Sequence, residues 1–409
     1  MLSSQLLYLA AAQRLYYMDW LRVLAILFVF FVHTSMPFST VQNAWLIQFD
    51  QTGMAFTLFA GFTYQWVMHL FFFLAGAGTR FALASRSPRQ YLAERIQRLL
   101  LPFLFGSLAF TALQRYISLT SRLQSPGPFL PFYAQVYSAC LTRPSLGLLR
   151  VDCFSSHLWF LGYLFLYALL ALPLFVWLHS QAGLRLTARL ADFNQKPGSL
   201  WLFFLPTALI QAALRARYPQ HQNWSDFLLW LAYFIFGYLF TGDRRFLRGV
   251  ERQKFIALGT GLACMLTMAE FLLGRGYAEA WEIHPTFSGG YAAYQVLRSL
   301  NTWAWVLFFL GMGAWRLDFN RPLLRYSREA LLPFYILHQV VIVLIAFGLM
   351  AWRPPILVKF LALSTGALAI TLGLYEFPVK RLNVLRILFG MRPKPEENPL
   401  AWQTRQGMS

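Results

Sequence analysis

The stretch that decides the fold is "RVLAILFVFFVH", residues 22–33: ten consecutive apolar residues with a guanidinium at one end and an imidazole at the other. Carried outward to about 20–38, the segment reaches the roughly 20 residues that a helix needs to cross the hydrocarbon layer of a bilayer. The rest of the chain is of the same kind. Of 409 residues, 58% are hydrophobic and 12% charged, with 40 Phe, 19 Tyr and 14 Trp, whereas about a quarter of a soluble domain is charged. Ten spans are legible, at roughly 20–38, 54–78, 97–118, 157–178, 199–214, 226–241, 255–273, 292–315, 330–350 and 355–377. The sequence therefore predicts an all-α, polytopic integral membrane protein of about ten transmembrane helices. A short segment, 1–19, precedes one membrane domain, 20–377, and a basic tail, 378–409, follows it.

The net charge of +19 has a topological explanation. With a cytoplasmic N-terminus, the cytoplasmic side holds about 24 Lys and Arg and the opposite side about 10, with Arg22 inside the first span. That asymmetry is the positive-inside bias, and it puts both termini in the cytoplasm. Nucleic acid is not an expected partner, because the basic excess is already accounted for; the lipid bilayer is. No charged n-region precedes "LLYLAAAQ", so no cleavable signal is expected. The localisation that follows is a multi-pass protein of a plasma membrane, in a bacterium the inner membrane. Cys140 and Cys153 share a predicted outer loop and can pair in an oxidising compartment, Cys264 lies in a span, and no metal-ligand spacing is present. Two outer connections, 119–156 and 274–291, are long and rich in Gly, Pro and aromatics, and loops of that kind more often carry function than fill space. The tail after Arg392 has the composition of a disordered segment.

Arg22 and His33 are eleven positions apart, three turns plus about 20°, so both leave one face of a helix, separated by a rise of about 16 Å. Asp19 is placed to pair with Arg22, and a structural ion pair is one reading of that end. His33 lies past the midplane. It is either a neutral histidine bonding a neighbouring helix or a base that accepts a proton from a hydroxyl. In "AERIQRLLLPF", Arg95 and Arg98 open the third span on one face, with Pro102 within about a turn. Paired guanidiniums suit phosphate oxygens, although any inner helix end attracts arginine. Just before them, "FFFLAGAGTR" alternates Gly76 and Gly78 with Ala75 and Ala77, a pattern that admits a second backbone or a slender ligand. Together these features describe a ligand with phosphates at the inner surface and a long thin arm reaching toward His33, which is the shape of acyl-CoA.

These residues carry a resemblance. The R-x10-H of the first span (Arg22, His33), the R-x-x-R of the third (Arg95, Arg98) and the "FFFLAG" closing the second resemble the acyltransferase-3 family of integral membrane O-acyltransferases. "SSHLWFLGYLFLY", with His157, Trp159 and Phe160, and "FYILHQVVI", with His338, look like later signatures of its glucan-succinylating branch, that of glucan biosynthesis protein C. The resemblance runs from Tyr16 to about Arg392. It implies a ten-helix core that moves an acyl group from cytoplasmic acyl-CoA to a hydroxyl of an extracytoplasmic carbohydrate. It further implies that His33 is the catalytic histidine, that Arg22 assists along the donor path, and that Arg95 and Arg98 hold the CoA phosphates. Ala75 departs from the family, which often has Ser there, and no fused esterase-like domain is present, so the core is expected to reach the acceptor itself.

Other polar groups rank lower. His338, near the middle of the ninth span, and Glu376, near the inner end of the tenth, are sites or helix–helix hydrogen bonds. His157 and Trp159 open the fourth span at the outer face as acceptor-binding or interface-anchoring residues. His69, in the second span, is an orienting partner for His33 or a packing histidine. No serine or cysteine is placed as a covalent relay, so the expected transfer is direct, with acetyl-CoA or succinyl-CoA as donor. The rival function is a proton-coupled secondary transporter of a sugar or lipid-linked substrate. Transporters often repeat their halves and break matching helices, and neither feature is visible here.

Overall fold

A computed structural model describes residues 15–142, 156–219, 221–283 and 285–394. Among these residues the chain is all-helical and contains no strand. The helices are α1 (Tyr16–Ser35), α2 (Met54–Leu83), α3 (Pro88–Ser121), α4 (Phe129–Thr142), α5 (Trp159–Leu170), α6 (Leu172–Leu178) and α7 (Gln181–Phe193). They continue as α8 (Ser199–Leu214), α9 (Trp224–Phe240), α10 (Arg244–Arg252), α11 (Lys254–Gly274), α12 (Gly289–Arg316), α13 (Pro322–Gly348), α14 (Ile356–Val379) and α15 (Asn383–Leu388). Cys153, and with it the pairing to Cys140, lies outside the described residues, as does the tail beyond Lys394.

Among the described residues six helices, α1, α2, α3, α11, α13 and α14, are long and apolar enough to cross a membrane. The number is eight if α5–α6, bent by 50°, and α9–α10, bent by 108°, each count as one span. The other two of the expected ten spans do not meet that measure, for two physical reasons. Helix α8 is too short, and α12 is long but carries Gln295, Arg298, Ser299, Asn301 and Thr302 through its middle.

Helix α1 is the central wall, touching α2, α12, α13 and α14. After it the chain folds back over its end. Phe49 N–H donates to Pro37 O (2.8 Å) and Gly53 N–H to Phe38 O (2.9 Å). Phe38, fully buried, fills the space beneath against Phe49, Phe56 and Phe360. Helices α2 and α9 meet backbone to backbone. A Cβ on Gly76 would lie 1.8 Å from Phe234 O, and a Cβ on Gly237 would lie 1.8 Å from Phe73 O. Such an approach replaces side-chain packing with main-chain contact and is the usual service of small residues between membrane helices. Gly76→Ala is expected to cost about 1–3 kcal/mol, as overpacking does, and to lower the melting temperature of the purified protein. Gly61→Ala, at a site with nothing within 4 Å of the added methyl, should leave it unchanged; equal behaviour of the two would contradict the packing.

Candidate active site

One cavity of about 1070 Å³ follows α1. The α1 residues on it are Asp19, Arg22, Ile26, Val29, Val32 and His33. This is the i, i+3, i+4 stripe of a single helix face, about 21 Å long at 1.5 Å per residue. The guanidinium and the imidazole therefore open onto the same space.

The Arg22 end is cationic. Arg22 Nη1 donates to Asp19 (2.7 Å) and Nη2 to the Leu74 carbonyl of α2 (2.6 Å). A Cβ on Gly78 would come within 3.2 Å of Nη2, so that glycine clears room for the group. Asp19 also pairs with Arg328 of α13 (3.2 Å). Arg95 and Arg98 lie on the cavity, where the first residues of α3 give way to a π-helical turn, Ile96–Leu100, just before Pro102. Proline cannot donate to the preceding turn, and a π turn is one way for a helix to absorb the misfit. Arg95 rests over the face of Tyr91 (5.0 Å), which is fully buried and hydrogen-bonded to Thr79. Glu94 engages both arginines, at 3.8 and 3.4 Å. Arg325, Arg328, Arg386 and Arg392 complete this end, with Arg386 paired to Glu329 (3.3 Å).

The His33 end is built from three imidazoles. His338 Nδ1 lies 2.7 Å from Tyr335 O and 3.2 Å from Phe334 O. Both partners are acceptors, so these contacts assign the proton to Nδ1 and a lone pair to Nε2. His33 Nδ1 is 3.1 Å from that Nε2, with the two rings within 4° of parallel. Its Nδ1 must then be the donor, which leaves Nε2 of His33 as the basic nitrogen. His157, buried with its ring edge-on to His338 at 5.4 Å, donates from Nε2 to Ile336 O (3.1 Å). Its Nδ1 is consequently an acceptor, and it has no partner among the described residues. The Tyr335 hydroxyl holds the His157 backbone carbonyl. Trp45 lies 6.0 Å from the His33 ring, and its carbonyl accepts from Arg122 (2.9 Å), another cavity residue. Trp159 lines the cavity, buried and stacked on Trp230 at 4.7 Å, with His221 edge-on to it.

Not every sequence candidate is here. Gly76 is not on the cavity: its close approach belongs to the α9 backbone, and Gly78 is the glycine that lines the cavity. His69 does not orient His33, since His338 occupies that position; it packs edge-on to Tyr233 at 4.9 Å. Glu376 is paired to Lys380 (2.9 Å) one turn on and lies off the cavity. Sequence reasoning missed Gln339, Ser156, His221 and Gln222 at the imidazole end and the four arginines from Arg325 to Arg392 at the other. Gln339 adjoins His338 and bonds Gln114 (2.9 Å) and Ser156 (3.2 Å). Two adjacent polar residues inside an apolar span were the signal that could have found it. Among the described residues, no group of three or more His, Cys, Asp and Glu side chains is arranged to hold a metal ion.

The family profile described as an acyltransferase domain, acyltransferase-3, matches residues 15–376. The chain belongs to the acyltransferase-3 family, and its class is that of a multi-pass membrane acyltransferase. No curated protein and no solved structure matches it.

Proposed function

We propose that this protein is a membrane O-acyltransferase that moves an acetyl- or succinyl-class group from cytoplasmic acyl-CoA to a hydroxyl of an extracytoplasmic carbohydrate. The observation that carries the reading is one continuous cavity with an arginine-rich end and an oriented imidazole at the other. Both termini and the arginine-rich end then face the cytoplasm of the inner membrane, in keeping with the distribution of basic residues.

In this reading the nucleotide phosphates rest among Arg95, Arg98 and their neighbours, and the thin arm of the thioester runs along the α1 stripe to His33. The acceptor hydroxyl gives its proton to His33 Nε2 as its oxygen attacks the thioester carbonyl. The tetrahedral intermediate then expels the CoA thiolate, which recovers the proton from His33; the products are an ester and CoA thiol. His338 keeps the reactive nitrogen free by accepting from the other one. His157 and Trp159 lie on the cavity beside this centre, where a polyol acceptor would meet them. Arg122 supplies the cation that an acyl carboxylate requires if the group is succinyl.

The test is titration of purified protein with CoA, followed by release of free thiol from acyl-CoA when a sugar polymer is added. Arg95→Ala with Arg98→Ala should weaken CoA binding by about tenfold or more, given the strength of hydrogen bonds to charged groups, and should flatten its salt dependence. Unchanged binding would assign that pair to membrane topology alone.

A further inference from the structure

Beyond the residues that the family profile covers, the chain turns back and puts one more guanidinium at the cationic mouth. Phe389 caps the C-terminal end of α15, and its ring packs edge-on to Phe105 at 5.5 Å. Gly390 follows with φ +71, and a Cβ there would lie 2.7 Å from Leu332 and 3.1 Å from the Arg98 carbonyl. A left-handed residue wedged against two helices has to be glycine. Met391 N–H then donates to Arg386 O (2.7 Å) and Arg386 Nε–H to Arg392 O (2.8 Å). Asn383 and Lys394 exchange two further bonds, at 2.8 and 3.3 Å. The turn is fixed on every side, and it sets Arg392 on the cavity.

Among the described residues seven arginines line this end. Five of them share three carboxylates: Arg22 and Arg328 with Asp19, Arg95 and Arg98 with Glu94, and Arg386 with Glu329. Among the described residues, Arg325 and Arg392 line the same space with no carboxylate partner, and Arg392 is close enough to Arg98 to repel it. Like charges held in one concavity favour an arriving anion. A phosphate monoester carries about −1.5 to −2 at neutral pH on three strong acceptors, more than either link of a pyrophosphate diester, and guanidinium forks match it.

We infer that Arg392, together with Arg325, forms a second phosphate subsite that reads the terminal 3′-phosphate monoester of the CoA nucleotide, distinct from the Arg95–Arg98 pair that holds the pyrophosphate. This rests on the acyl-CoA reading above.

The experiment is calorimetric titration of the purified full-length protein with CoA and with dephospho-CoA, which lacks that phosphate alone. The wild type should favour CoA by about tenfold or more. Arg392→Ala should bring CoA down to the affinity of dephospho-CoA and change the latter less than about twofold, with Arg392→Lys in between. Arg392 is exposed, so an unchanged melting temperature without ligand is the check on folding. A full preference for CoA retained in both Arg392→Ala and the Arg325→Ala, Arg392→Ala double variant would overturn the subsite. Equal wild-type affinity for the two ligands would remove it while leaving the acyl-CoA reading intact. Wild type that binds neither would bring down that reading and the subsite with it.

Discussion

Replacing His33 by alanine should abolish measurable acyl transfer, a loss of about 10²–10⁴-fold in turnover, while the protein still inserts, folds and binds CoA. The separation follows from where His33 sits. It lines the cavity about 16 Å along α1 from Arg22 at 1.5 Å per residue, so its removal leaves the arginine-rich end untouched. Among the described residues it pairs with no carboxylate, and its hydrogen bond is to His338. A truncation that only emptied space would lower stability and leave the rate per folded molecule intact. Near-normal turnover in folded His33→Ala would therefore remove His33 from the chemistry.

The second large effect is expected at His338, which acts through His33. His338 is fully buried and its Nδ1 is committed to its own helix. Its work is to present an acceptor to His33 Nδ1–H, fixing both the tautomer and the ring plane. His338→Ala should lower turnover by about 10²-fold, the scale on which a misplaced catalytic group costs rate, with little change in CoA affinity. His338→Gln should recover part of the loss, because an amide oxygen at a similar reach can accept the same N–H. Equal defects in the two variants, accompanied by equal losses in melting temperature, would identify His338 as packing only.

Membrane class and helical fold were legible because length and apolarity alone decide them. The number of spans was less so. Helices α5–α6 and α9–α10 bend sharply, and a hydropathy pattern has no signal for direction. At the site, the stripe from Asp19 to His33 was legible because a single helix fixes the angles between its own residues. Partners contributed by other helices were not. His338 is 305 positions from His33 in the chain, and nothing local distinguishes it from His69 as the imidazole that meets it. The same limit explains Gly76 and Gly78. Both are small residues near one helix end, and only the position of α9 reveals that the first receives a backbone while the second clears space for Arg22. Arg325, Arg328, Arg386 and Arg392 read as ordinary inner-side charge in the sequence, and come to line one end of the cavity only when α13 and the C-terminal turn converge on the opening of α3.

The central claim is that one cavity joins a nucleotide-binding end to an alcohol-activating end across the bilayer. Its most direct test is a transfer assay in sealed proteoliposomes with uniformly oriented protein, acyl-CoA supplied to the arginine-rich face and the carbohydrate acceptor to the other. The account predicts acylated carbohydrate on the acceptor side and CoA thiol on the donor side in equal amounts, with neither product from His33→Ala. Product formed only when both substrates share one face would contradict it.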